Sequence, residues 1–154
     1  MRPKWALTHP NGNYMFIEAL KGLPLNQFSK IYLTVLKEHL VQFDLEGGIN
    51  KSLEKLGLDF ELCILDSPTS SQSETVYQTI VKKSLTGSFF IKDTDNFFLI
   101  DEIVPNSVCV SNLNKCGLIN AGNKSYVEIN KEKIVSNKKK KKIISTNFCT
   151  GGYS

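Results

Sequence analysis

Apolar positions recur along this chain at two different periods, and the alternation between them marks its elements. In "GNYMFIEALKGL" (residues 12–23), Phe16, Ala19, Leu20 and Leu23 fall at helical spacing, with a glycine near each end. "KIYLTVL" (Lys30 to Leu36) is short, β-rich and apolar, the pattern of a strand buried on both faces. Ile49, Leu53 and Leu56 then predict a second helix, broken from the turns before it by Gly47-Gly48. "DFELCILD" (Asp59 to Asp66) predicts another strand. Past the polar turn "SPTSSQS", Val76, Ile80 and Val81 make the apolar stripe of a third helix, with Ser71 or Ser73 placed to cap it. After Gly87, "SFFIKDTD" predicts a strand. Residues 12–95 thus read helix, strand, helix, strand, helix, strand. Doubly apolar strands alternating with amphipathic helices imply a parallel sheet with helices on its faces, an α/β core.

From Ile103 the pattern changes. "SVCVSNL", "SYVEINKEKIV" and "KIISTNF" are strand-like pieces separated by Asn, Gly and Lys turns, which predicts a small C-terminal β-meander. No repeat and no linker divides the two styles. The expectation is one domain over residues 1–154, of which 103–154 is a β-rich part.

Composition narrows the function classes. With 154 residues, 41% of them hydrophobic, the chain has material for one real core. It has no apolar run of the ~18 residues that a transmembrane helix needs, so no membrane partner is expected. "MRPKWALTHP" has no apolar h-region, so a signal peptide is not expected either. Cys63, Cys109, Cys116 and Cys149 form no C-x-x-C pair and have only two histidines beside them, His9 and His39, so zinc is not indicated. Scattered thiols, two of them in apolar strand-like segments, fit a reducing, cytoplasmic setting. The net charge is +4, but the run Lys138 to Lys142 supplies more than that by itself. A global basic field is absent and no aromatic residue interleaves the run, so nucleic acid is not an expected partner.

The chemistry concentrates in "FFIKDTDNFF". Side chains alternate along a strand, so Phe89, Ile91, Asp93 and Asp95 share one side, and the change from apolar to acidic falls at the carboxyl end. Ligands of open α/β sheets bind at that end. Two close carboxylates repel unless a cation lies beside them. Mg²⁺ is an economical answer, since it takes one or two protein carboxylates and completes its shell with water and phosphate oxygens. "DTDN" is equally good turn chemistry, and both readings stand at this level. "DSPTSSQSETV" joins a strand end to a helix start, rich in hydroxyls and free N–H groups. Such a junction suits a nucleoside or phosphate group, or simply an ordinary capped helix with Glu74 near its positive end.

In order and spacing, four pieces together resemble the sugar-phosphate nucleotidyltransferase family, the MobA-like and glucose-1-phosphate thymidylyltransferase-like group. "RPKWALTHPNG" resembles the family's "PK" segment, and "SSQSETV" is similar to its nucleoside-binding G-Q-A-E-T segment. "FFIKDTDNFF" resembles the metal-binding strand end, and "KSYVEINKEKIV…IISTNFCTGGY" the acceptor-side strands. The resemblance implies a three-layer Rossmann-like core with a mostly parallel sheet. It assigns Lys4 to the nucleotide phosphates, Ser71 and Gln72 to the base-reading segment, and Asp95 with its neighbour Asp93 to Mg²⁺. Gly151 and Gly152 match a "GG" turn beside the sugar phosphate. The implied substrates are an NTP and a sugar-1-phosphate or similar phosphate. The acceptor attacks the α-phosphorus, pyrophosphate leaves, and a nucleotide-activated sugar forms, as in polysaccharide biosynthesis. An oligomer is left open.

This chain departs from the family pattern in four places. The resemblance implies a first strand and Gly-rich, arginine-bearing loop that would precede Met1, and a later metal-binding segment that would follow Ser154. Ser71 stands where the family has glycine, and the family's Glu-Lys pair is replaced by the lysine run. The expectation is therefore the middle of an enzyme. A non-catalytic nucleotide-binding fragment or pseudoenzyme is the first alternative. An interaction module using Lys138 to Lys142 is the second.

Overall fold

A computed structural model describes residues 1–57, 59–117, 120–138 and 142–154. The chain forms two compact units: Met1–Phe89 with Thr94–Ile103, and Phe90–Asp93 with Val104–Ser154. The architecture is mixed α/β, a parallel strand pair in the first unit and an antiparallel sheet in the second. No helix among the described residues is long and apolar enough to cross a membrane.

The first unit is built on β1 (Ile31–Leu36) and β2 (Phe60–Leu65), paired in parallel from Ile31 opposite Phe60 to Leu36 opposite Leu65. Parallel neighbours need a crossover. Here it is α2 (Lys37–Phe43) followed by α3 (Glu46–Glu54). The break between these helices is not at Gly47-Gly48, as the sequence pattern suggests, but at Asp44. That residue adopts the left-handed conformation (φ 47°, ψ 55°) that aspartate tolerates better than most. Gly48 lies inside α3, where a Cβ would run into the Tyr14 side chain. The core gathers Ala6, Leu33, Val35, Leu40, Leu45, Ile49 and Leu53 around Phe16 and Ile17 of α1 (Met15–Leu20).

On α4 (Gln72–Lys82), Thr79 rather than Val81 faces the strands. Its hydroxyl meets that of Thr34 at 2.7 Å, while Val81 is 57% exposed. Positions 76, 79, 80 and 83 share a helical face and position 81 does not, so the inward stripe passes through Thr79 and leaves Val81 outside.

The second unit is an antiparallel sheet in the order β3 (Ile91–Lys92), β7 (Asn147–Tyr153), β5 (Tyr126–Asn130), β6 (Lys133–Lys138), with β4 (Val108–Asn112) also pairing β7. Tyr126, Val127 and Phe148 are its buried hydrophobics. Two expectations need correction. The "SFFIKDTD" strand does not join β1 and β2; its ordered part is β3 and runs antiparallel to β7. The strand expected over "KIISTNF" begins only at Asn147 and continues through Gly151 and Gly152, which are inside β7 rather than in a turn. The reason is packing: Phe148, not Ile143 or Ile144, is the residue that reaches Tyr126, ring centroids 6.5 Å apart.

Candidate functional site

In the first unit the N-terminal segment meets the turn that carries Asp95, which lies past the end of β3 and not in the strand. Pro3 (φ −65°, ψ 146°) holds an extended backbone ahead of a single 3-10 turn over Lys4–Ala6, with Ala6 fully buried. That anchor presents Lys4, whose Nζ stands 3.9 Å from Asp95 Oδ2. The lysine side chain is 83% exposed and the carboxylate 42% exposed, so the pair is open to an incoming anion. At 3.9 Å the two attract electrostatically but share no hydrogen bond.

The segment carrying Asp95 is held by its own backbone. Ile100 N–H donates to Gly22 C=O, and Gln27 receives Ile103 N–H on its side-chain oxygen. Gly22 is required there because a Cβ would overlap the Phe98 carbonyl.

Ser71 is the N-cap of α4, its hydroxyl accepting from Glu74 N–H at 3.2 Å. Glu74 reaches back to the Ser70 N–H and hydroxyl at 2.7 and 2.6 Å, and these bonds hold its carboxyl below the usual range. This variant of the Ser/Glu box fixes the entry of the helix and satisfies one of its first donors, the Glu74 N–H. Ser71 is thus already engaged as a cap, and Gln72 is the first helical residue, with an exposed side chain.

In the second unit Asp93 and Gly151 are in contact. Asp93 N–H donates to Gly151 C=O at 2.8 Å, and the Asp93 carboxylate lies against the Gly151 Cα. Gly151 has φ +83°, a conformation that disfavours any side chain. Gly152 pairs with Lys92. Burial raises the Tyr153 phenol above its ordinary range, with the negative charge potential of Cys149, Asp93 and Cys109 adding to it.

Asp95 belongs to the first unit and Asp93 to the second. Asp95 offers hard, half-exposed oxygens of the kind Mg²⁺ accepts, so the residue type and exposure fit such an ion. Among the described residues no group of three or more His, Cys, Asp or Glu stands together as a metal cage.

Other sequence candidates fall elsewhere. His9 accepts from Asn11 N–H in a polar turn, and His39 lies 3.7 Å from Glu38. Trp5 packs edge-on to Phe16, centroids 6.1 Å apart. The four cysteines are free thiols. Of the lysine run, Lys139, Lys140 and Lys141 lie outside the described residues. Arg2 was without a role in the sequence pattern, yet it has a defined place: its guanidinium sits 5.7 Å from the centre of the Tyr14 ring. The only sequence signal for it is a second cation beside Pro3-Lys4.

The sequence matches no protein-family model and no curated protein. In fold, the chain is similar to the crystal structure of a nucleoside-diphosphate-sugar pyrophosphorylase from Vibrio cholerae RC9, with a TM-score of 0.69 and 16% identity. The match covers 99% of this chain and 64% of that one, so the chain spans less than two thirds of that protein's length. At this identity the likeness is one of fold.

Proposed function

We propose that this chain is a nucleotidyltransferase, joining an NTP to a sugar-1-phosphate or similar phosphate and releasing pyrophosphate. In this reading residues 1–154 act as one nucleotidyltransferase domain, with 103–154 on the acceptor side. The parallel pair and its helices belong to a three-layer Rossmann-like core, in a cytoplasmic setting. The observation that carries the reading is the approach of Lys4 to Asp95, far apart in sequence and 3.9 Å apart in space. The family resemblance assigns Lys4 to the nucleotide phosphates and Asp95 to Mg²⁺, and the likeness in fold to a nucleoside-diphosphate-sugar pyrophosphorylase supports the nucleotidyl-transfer reading.

The roles follow from charge. Lys4 takes phosphate oxygens and offsets negative charge that builds as the pyrophosphate leaves. Asp95 would hold Mg²⁺, which when bound draws charge from the phosphate oxygens and aligns them. A site with so few protein carboxylates leaves coordination positions for water and phosphate. Ser71 fixes the start of α4, and Gln72 projects from it toward the base. Gly151 and Gly152 keep side chains away from the sugar phosphate. No protein nucleophile is needed, because catalysis of this kind rests on alignment and neutralisation.

The test is pyrophosphate release with each common NTP, a panel of sugar phosphates and Mg²⁺. Turnover that falls about a hundredfold or more in Asp95→Asn supports the reading, a loss of the size expected when a charge-stabilising group is removed. Mg²⁺-dependent nucleotide stabilisation in a thermal melt without any turnover would instead make the chain a non-catalytic nucleotide binder. Neither turnover nor stabilisation would refute both.

A further inference from the structure

Arg2 is the residue whose surroundings ask for a ligand. Its Nε is buried with no hydrogen-bond partner among the described residues, an arrangement that native proteins avoid because desolvating an unpaired donor is costly. No carboxylate pairs with its charge among the described residues, whereas Lys4, Lys21, Lys30, Lys37, Lys82 and Lys83 each have at least one. What holds it is the Tyr14 ring at 5.7 Å. Tyr14 in turn stacks on Phe16 (5.9 Å, 19° between planes), a core residue 1% exposed. The resting place is therefore backed by the core but poorly paired: a cation–π contact on one side and an orphaned donor on the other. A guanidinium in that state gains by leaving for any ligand that offers paired oxygens. Arginine's planar fork matches phosphate better than a lysine ammonium does. The same segment supplies such a ligand's other contact, since Lys4 follows across the extended Pro3.

The geometry points to Arg2 as a displaceable anion-binding arm that leaves the Tyr14 ring to take the pyrophosphate end of a nucleotide beside Lys4. This assignment rests on the nucleotidyl-transfer reading for its substrate, but not for the anion chemistry itself. No bond is made or broken by the arm; it binds and orients the group that leaves. Its movement has a built-in reporter. Trp5, the only tryptophan of the chain, packs edge-on to the Phe16 ring on which Tyr14 stacks.

The experiment is calorimetric titration of inorganic pyrophosphate with Mg²⁺ into the full chain and into Arg2→Lys and Arg2→Gln, with Trp5 emission followed in parallel. The expected result is about tenfold weaker binding in Arg2→Gln, the worth of one charge-assisted pair, and an intermediate loss in Arg2→Lys. The Trp5 response should be present in the wild type and absent in both variants. Ligand-free melting temperatures should match within each pair, since the arm contributes little at rest. If Arg2→Gln does not fold, Arg2→Lys alone decides. Wild-type affinity in the lysine variant, with its Trp5 response retained, overturns the assignment. Pyrophosphate binding without NTP binding would leave the arm standing and remove the nucleotidyl-transfer reading. NTP binding that is indifferent to Arg2 would do the reverse, and binding of neither removes both.

Discussion

Replacing Gly151 by alanine tests the contact on which β3 depends. Gly151 has φ +83°, and a Cβ added there would lie 2.8 Å from the Asp93 Cβ and overlap its carboxylate. The left-handed backbone alone costs an alanine about 1–2 kcal/mol. Relieving the overlap moves Asp93 away and breaks its N–H bond to the Gly151 carbonyl, now 2.8 Å, for about 1 kcal/mol more. The sum, about 2–3 kcal/mol, is a large part of the roughly 5–15 kcal/mol that holds a typical domain together. Gly12→Ala is the matched control, because Gly12 has φ +89° but nothing within 4 Å of its would-be Cβ. It should cost only the backbone share, about 1–2 kcal/mol. Urea unfolding gives the two stabilities, and hydrogen exchange at the Asp93 amide reports the β3–β7 contact directly. If Gly151→Ala costs no more than Gly12→Ala and leaves the Asp93 amide protected, the close approach of Asp93 is not what the glycine serves.

Two further outcomes are expected from the first unit. Ser71→Ala removes the α4 cap and should lower stability by about 1 kcal/mol, measured by denaturant unfolding, while Ser71→Asn, another good cap, should restore most of it. Glu18 should mark the acid limb. The Lys21 ammonium at 2.7 Å first, and the Asn13 amide at 2.6 Å second, bring its carboxyl down from 4.5 to about 2. A carboxyl depressed in the folded state contributes its stability above pH 4.5 and loses it as pH falls toward 2. Glu18→Gln should therefore be less stable than the wild type by about 0.5–1 kcal/mol at pH 7, the scale of a partly screened pair, with the gap closing near pH 2 in pH-dependent melts. A gap that is constant with pH would assign the effect to packing rather than charge.

Much of the first unit was legible because its signals are local. The strands around Tyr32 and Cys63, the helix around Ile49 and the start of α4 at Ser71 are each fixed by periodicity or cap chemistry within a few residues. The second unit was legible only as strand-rich. Its register depends on which aromatic residue fills the space beside Tyr126, and no run of neighbouring residues encodes that choice. Phe148 wins it, and so the strand begins at Asn147 and carries Gly151 and Gly152 inside the sheet. The site divides the same way. Asp93 and Asp95 stand out by residue type and strand alternation, and Lys4, Gln72 and the glycine pair by the family resemblance alone, but Arg2 does not, since an orphaned nitrogen is visible only once its surroundings exist.

By itself, then, the sequence determined the α/β alternation of the first unit and the capped helix, and it marked the candidate carboxylates, because backbone periodicity and side-chain chemistry are local properties. Only the tertiary structure decided that β3 pairs antiparallel with β7, that Lys4 comes to rest 3.9 Å from Asp95, and that Asp93 leans on Gly151. Those are settled by which apolar surfaces can be buried together, and burial is a property of the whole folded chain.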